Sequence, residues 1–346
     1  MGNGHPTYFI ADIAANHDQD LSRAKELIYL AKVAGADAAK FQHFRAETLV
    51  SDVGFRDLGS AMGHQTRWSK SVFDVYRDAE VPWSWTADLA STCRSAGIEF
   101  MSTPYDLAAV DMLNPFVHAF KIGSGDITWL EIVDHIAQRA KPVLLATGAS
   151  TLAEVMAATR IIMEHGCDLV LMQCNTNYTA ERTNLSHINL RVLTAYQELF
   201  PEAVLGLSDH TQGATTVLGA VALGARVIEK HFTDDPDREG SDHYFSMSPD
   251  TWREMVVRTR ELEDALGDGG KRVQDNEVET RVVQRRCLRA RRDLSRGMVI
   301  ARDDLEALRP APTGAVGPES IESVVGKMLS RDVVRGVALV TADLDG

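Results

Sequence analysis

The chain has 346 residues, 45% of them hydrophobic and 25% charged, the proportions of a globular protein long enough to bury its own core. A formal net charge of −13 excludes general nucleic-acid binding, which needs a basic face, but leaves room for a small anion held by a local positive field. The four cysteines form no C-x-x-C pair, which argues against a zinc knuckle or a disulfide framework. No apolar run approaches the ~20 residues of a membrane helix. The opening MGNGHPTYFIADIA lacks the basic-then-apolar order of a secretory signal. A cytoplasmic protein without membrane or nucleic-acid partners is expected.

Apolar runs and amphipathic stretches alternate along the chain. YFIADIA (8–14) reads as a buried strand, and 20–35 as a helix ending on glycine. AAKFQ (38–42) is a second strand, followed by a longer insertion. A helix over 86–97 precedes the strand IEFMSTP (98–104). AFKIGSG (119–125), KPVLLATGAS (141–150), DLVLMQCN (168–175), AVLGLSDH (203–210) and RVIEKHFT (226–233) are further strands. Each is followed by an amphipathic helix, the last over 248–267. Eight units of continuous apolar strand plus helix predict an α/β fold, a (β/α)8 TIM barrel over 1–267. The competing reading is a doubly wound open sheet, but no G-x-G-x-x-G follows the first strand. Residues 268–284 are polar and glycine-rich and read as a linker. Residues 285–346 read as a small β-rich domain, and seven arginines crowd the stretch from Arg281 to Arg296.

Catalytic groups of such a barrel gather at the C-terminal ends of the strands. The polar residues there are Asp12; Lys40 and Gln42; Ser102 and Thr103; Lys121, Ser124 and Asp126; Thr147; Thr176 and Tyr178; Ser208, Asp209 and His210; and Glu229, Lys230, His231 and Asp242. Lys40 and Lys121 sit in apolar runs, so each needs an anionic partner. A carboxylate would serve. Two lysines with hydroxyls and the amides of GSG around one mouth favour a phosphate or carboxylate ligand. His210 and His231 end consecutive strands, 21 residues apart. Either could be an ordinary buried histidine. As a pair at one mouth they suit a divalent ion such as Mn²⁺, completed by substrate oxygens and water.

In order, FIADIAANHDQDLSRAKELI, AKFQ, MSTPYD, KIGSGDITW, KPVLLATGAS, QCNTNYTA, GLSDHT, VIEKHFTDD and SDHYFSM resemble the sialic acid (N-acetylneuraminate) synthase family, and the tail with LRPAPTG resembles its antifreeze-like (SAF) domain. The resemblance implies condensation of phosphoenolpyruvate with an N-acyl hexosamine, commonly N-acetylmannosamine, to a nonulosonic acid and phosphate. The enzyme would be a C–C-bond-forming transferase using Mn²⁺ or Mg²⁺. It implies His210 and His231 as metal ligands, and Lys40, Thr103, Lys121, Ser124 and Ser208 around phosphoenolpyruvate, with Ser102 counted among the substrate-binding residues. Gln42, Tyr178, Asp242 and Asp126 would face the aldose, Thr176 counts among the substrate-binding residues, Glu229 would sit beside the metal and the reacting aldehyde, and Asp12, Asp126 and Glu229 would be the catalytic carboxylates. It also implies a domain-swapped homodimer in which Arg309 completes the other copy's site. The chain departs from the family at Asp12, where glutamate is usual, and at Ala146, Gln173 and Ser241. These leave the aldose open, with legionaminate or pseudaminate as alternative products. Two other readings are a Schiff-base lyase using Lys121 and a non-catalytic binding protein.

Overall fold

Strand alternation with helices produces a single eight-stranded parallel sheet curled into a nearly closed barrel. Its strands are β1 (Tyr8–Asp12), β2 (Ala38–His43), β3 (Glu99–Pro104), β4 (Phe120–Ile122), β5 (Val143–Ala146), β6 (Leu169–Cys174), β7 (Val204–Asp209) and β8 (Val227–His231). The order β3-β2-β1-β8-β7-β6-β5-β4 follows the chain around the barrel, and β1 pairs with both β2 and β8. This is the (β/α)8 arrangement and not the doubly wound sheet. β3 and β4, at the ends of the order, lie beside each other. The computed structural model describes all residues except 1, 3, 60–64, 67 and 346, and it divides into two compact units, Met1–Gly267 and Asp268–Gly346.

The two-residue period of the strands sorts their side chains into two cores. Ile10, Ala38, Met101, Leu144, Met172 and Val227 fill the barrel interior. Phe9, Ala11, Phe41, Phe100, Leu145, Leu171, Leu207 and Ile228 point outward into the layer packed under the helices. Both sets are apolar, which is why the strands read as unbroken hydrophobic runs.

Helix boundaries follow local signals. Asp20 caps α1 (Leu21–Val33) by accepting from the Ser22 and Arg23 amides. Two single-turn and short helices, α2 (Ala46–Leu49) and α3 (Asp52–Asp57), and the two-turn α4 (Val72–Ala79) occupy the stretch read as an insertion. α5 (Thr86–Ala96) ends on left-handed Gly97. A further helix, α6 (Leu107–Leu113), capped by Asp106, links β3 to β4 where the sequence reading assigned none. The remaining barrel helices are α7 (Leu130–Ala137), α8 (Leu152–Glu164), α9 (Val192–Leu199), α10 (Thr215–Ala222) and α11 (Pro249–Leu266). Among the described residues no helix is long and apolar enough to cross a membrane.

The second unit carries two antiparallel pairs, β9 (Cys287–Ala290) with β10 (Leu305–Leu308) and β11 (Met328–Leu329) with β12 (Leu344–Asp345). Leu288, Ile300, Val324, Leu329 and Leu339 form its own core. The stretch read as linker holds a helix, α12 (Val278–Gln284), whose Val282 carbonyl accepts from the Ala311 amide.

Candidate active site

The strand-end residues on the interior face converge at one mouth, a cavity of about 450 Å³. Asp12, Lys40, Gln42, Thr103, Lys121, Ser124, Asp126, Thr176, Tyr178, Ser208, His210, Glu229, His231 and Asp242 all line it. The floor is a buried network of opposite charges. Lys40 Nζ lies 2.6 Å from Asp12 Oδ2, 3.3 Å from Thr103 Oγ1 and 3.9 Å from Glu229 Oε1. Gln42 Nε2 donates to the same Asp12 oxygen at 2.9 Å. Lys121 Nζ is 3.4 Å from Glu229 Oε1, which also accepts from Ser208 Oγ at 3.2 Å. Burial works against a charged Lys40, but Asp12 and Glu229 outweigh it and raise its pKa above the ordinary value.

Two carboxylate oxygens of this mouth, Glu229 Oε2 and Asp126 Oδ2, are buried without a hydrogen-bond partner. Asp126 is pushed up to about 6 by burial, with Lys121 pulling it the other way. Ser124, two residues earlier, accepts from the Gly148 amide at 2.9 Å. A Cβ on Gly148 would fall 1.9 Å from Thr176 Oγ1, so this close approach of backbone to mouth requires glycine.

The two histidines face each other with ring centroids 5.5 Å apart. His210 Nδ1 pairs with the Asn175 carbonyl at 3.0 Å; an N–H there leaves Nε2 as the lone-pair nitrogen. Burial first, then the neighbouring His210 and Lys40, holds the His231 pKa well below its usual value, and its Nδ1 is buried without a partner. His231 Nε2 stands 3.7 Å from Asp12 Oδ2, and its Nδ1 3.9 Å from Asp242 Oδ2. Tyr178 lies over His210 at 4.2 Å between centroids, and Phe245 packs on His231 at 4.8 Å. An imidazole with an orphaned nitrogen opposite a second imidazole oriented by a backbone carbonyl is a donor set that fits a divalent ion. Among the described residues no three or more His, Cys, Asp and Glu side chains close on one point, so substrate or water would supply the other ligands.

Strand alternation removes some expected residues from the mouth. Ser102, expected to bind substrate, is the outward residue between Met101 and Thr103. Its Oγ donates to the Phe41 carbonyl at 3.0 Å and so accepts from His43 Nδ1 at 2.7 Å. Thr147 turns outward to the Met172 carbonyl and Tyr196, and Gln173 to the Ile188 carbonyl at 2.8 Å. Of the four departures, Asp12, Ala146 and Ser241 line the mouth, whereas Gln173 does not. Asp209 and Lys230 pair with each other behind the barrel wall. Arg309 belongs to the second unit, exposed directly after β10. The mouth also gains residues the sequence reading passed over, among them Phe44, Leu49, Trp68, Val75, Tyr76, Tyr105 and Phe245. Tyr105 follows Thr103 by two and shares its face, a signal present in the sequence.

Comparison with known proteins agrees with this geometry. The N,N'-diacetyllegionaminic acid synthase of Legionella pneumophila is 36% identical over 345 residues, covering 98% of this chain and 95% of that protein. The pseudaminic acid synthase of Campylobacter jejuni serotype O:2 is 33% identical over 339 residues, covering 97% and 96%. The crystal structure of an N-acetylneuraminic acid synthetase from Leptospira borgpetersenii, solved with citrate, superposes with a TM-score of 0.69 at 27% identity, covering 80% of this chain and 90% of that one. The SAF domain profile matches residues 285–345, and the NeuB family profile matches residues 27–271. The chain is therefore a synthase that belongs to the NeuB family and carries a SAF domain.

Proposed function

We propose that this enzyme condenses phosphoenolpyruvate with the aldehyde of an N-acyl hexosamine to give a nonulosonic acid and inorganic phosphate. One observation carries the reading: two buried lysines and two facing imidazoles open on the same mouth. In the reaction C3 of the enolpyruvate bonds to the aldehyde carbon, and the aldehyde oxygen takes up a proton. Water adds at C2, and the C2–O bond to phosphate breaks. Lys40 and Lys121 hold the carboxylate and phosphate and offset the charge that builds as the enol attacks. Glu229 Oε2 is free to accept a hydrogen bond from water or a hydroxyl, and Asp126 can hold or release a proton near neutral pH. His210 and His231 would hold Mn²⁺ or Mg²⁺, which supplies a Lewis acid for the aldehyde. Tyr178, Gln42, Thr176 and Asp242 would orient the sugar.

N-acetylneuraminate is the first product to test, with legionaminate and pseudaminate beside it, because the chain resembles named synthases of all three. The experiment combines protein, Mn²⁺, phosphoenolpyruvate and a panel of N-acyl hexosamines and measures phosphate. Release with one sugar and none without sugar is expected; no release with any sugar from folded, metal-loaded protein refutes the reading. We also propose a homodimer in which Arg309 serves the other copy's mouth. Light scattering reports the assembly, and a monomer that keeps full turnover refutes it.

A further inference from the structure

His243, in the loop after β8, is 1% exposed, yet it does not line the mouth, and the proposed reaction makes no use of it. It opens a single turn, His243–Phe245. Asp242 just before the turn and Phe245 at its end both line the cavity, so the chain places His243 behind them. Both ring nitrogens are engaged. Nε2 lies 2.9 Å from Asp18 Oδ1 in the loop after β1, and Nδ1 lies 2.7 Å from Thr233 Oγ1. Asp18 is held from its other side as well: Oδ2 accepts from Arg238 Nη2 at 3.0 Å and lies 3.1 Å from Arg23 Nε. A carboxylate between two guanidinium groups accepts, so the imidazole donates through Nε2–H, and its Nδ1 is left to take the Thr233 hydroxyl. Arg23 in turn donates to the Asn16 carbonyl at 2.8 Å and to Asp234 at 2.7 Å, one in each loop.

The two loops meet around Asp242. Its carboxylate accepts from the Ala15 amide at 3.3 Å and from the Ser241 side chain, and its carbonyl accepts from Ser246 Oγ at 2.6 Å. Asn16 Nδ2 reaches the same Ser246 Oγ at 2.9 Å and the Phe232 carbonyl at 3.0 Å. These partners all belong to one loop or the other, so the carboxylate stands where both backbones put it. The loop after β1 would not keep its shape unaided. Ala14, Asp18 and Gln19 are left-handed, with φ of 45, 49 and 58°, which non-glycine residues hold only where their surroundings fix them. The loop after β8 lies directly on the imidazole: a Cβ on Gly240 would fall 2.5 Å from His243 Cδ2. Resting on the proposed reaction, we propose that Asp18 and His243 are positioning residues, a buried clasp between the two loops that fixes the Asp242 carboxylate where the sugar is bound. They touch no substrate and act through Asp242. Lys40, Lys121 and His231 stand within strands, and His210 is tied to the Asn175 carbonyl, so none of the four is bonded to the clasp. Loosening it should therefore separate the sugar from phosphoenolpyruvate and the metal.

The test uses the full chain and three variants. His243→Phe keeps a ring and removes both nitrogen contacts. His243→Gln keeps an N–H for Asp18. Asp18→Asn acts from the other loop and tolerates the left-handed backbone. Titration calorimetry measures binding of Mn²⁺ and of phosphoenolpyruvate, phosphate release gives kcat/KM for the sugar, and melting temperatures check folding. A misplacement of about 1 Å can cost roughly 100-fold, so His243→Phe should lose about 10–100-fold in kcat/KM for the sugar while both bindings stay within about twofold of wild type. Asp18→Asn should move in the same direction, and His243→Gln should recover most of the loss. Three results overturn the inference and leave the reaction standing: an unchanged kcat/KM in folded His243→Phe, a loss of Mn²⁺ or phosphoenolpyruvate binding as large as the loss with sugar, or a His243→Gln protein no better than His243→Phe. If His243→Phe does not fold, Asp18→Asn decides on the same two readouts. Absence of release by the wild type with every sugar overturns the reaction itself, and the inference with it.

Discussion

Lys230→Met tests how the mouth is held from behind. Lys230 and Asp209 are paired residues in the β7–β8 register, each with a side chain only 1% exposed, and each directly precedes a histidine of the mouth. The Lys230 ammonium bonds Asp209 Oδ2 and donates to the Thr211 carbonyl at 2.6 Å. Asp209 also accepts from Thr211 Oγ1 at 2.9 Å and Thr216 Oγ1 at 2.7 Å. Methionine matches the lysine stem and removes the charge together with its hydrogen bonds to Asp209 and the Thr211 carbonyl. It strands a buried carboxylate with only two hydroxyls and the Thr211 amide as donors, at a cost of about 3–5 kcal/mol. At about 2–4 °C per kcal/mol for a domain of this size, the melting temperature should fall by roughly 6–20 °C at pH 7.

The pH dependence gives the sign. Burial alone would raise the Asp209 pKa, but Lys230 and the two threonines outweigh it and depress it. In the wild type this carboxylate contributes stability above the ordinary value of about 3.9, lost as pH falls through its folded value. Without Lys230 burial dominates, the pKa rises, and protonation relieves the penalty. The difference between variant and wild type should therefore shrink from pH 7 towards pH 4. The double variant Asp209→Leu/Lys230→Met should recover most of the loss, because an apolar pair replaces an ion pair at little net cost. Thermal unfolding followed by circular dichroism decides. A Lys230→Met protein melting within about 1 °C of wild type at pH 7, or a difference constant from pH 7 to 4, refutes the reasoning.

Three further outcomes are expected. Ser102→Ala should leave the KM for phosphoenolpyruvate unchanged while costing about 1–3 kcal/mol in stability, because the His43 Nδ1 hydrogen bond is left unmade; steady-state kinetics and denaturant unfolding separate the two. Asp126, raised by burial to about 6, contributes stability below the usual carboxylate range that is lost as pH rises through 6. Asp126→Asn should therefore gain on wild type between pH 4 and 8, by at most about 3 kcal/mol, and a constant difference across that range would contradict the raised value. His231→Ala should abolish saturable Mn²⁺ binding seen by titration calorimetry as well as turnover, while a chelator should stop the wild type reversibly.

The sequence made the barrel legible because all eight strands are apolar on both faces, and some of the helices between them, α1 and α8 among them, carry side-chain caps. α6 escaped because it is only two turns long and runs straight on from the turn after β3. The same two-sided burial hid which strand-end residues enter the mouth. In a half-solvated sheet, polarity marks the outer face; here the outer face is another core, so a polar residue there must find its own partner. That explains why Ser102, Thr147, Gln173, Asp209 and Lys230 look like site residues by type and position. Each is bonded behind the wall instead, to Phe41 and His43, to Met172, to Ile188, and to one another. Parity resolves the ambiguity. Counting in twos from Lys40, Thr103, Ser208 and Glu229 reaches Gln42, Tyr105, His210 and His231, all of which line the mouth. The pairing of the two histidines then has a structural account. Asp209-His210 and Lys230-His231 are the same dipeptide logic on adjacent strands: the charged residue closes an ion pair on the outside, and the histidine is thereby aimed inward. No such rule reaches Leu49, Trp68 or Val75. They lie in the segment between β2 and α5, off the barrel strands, so the two-residue period that sorts the strand-end residues does not apply to them.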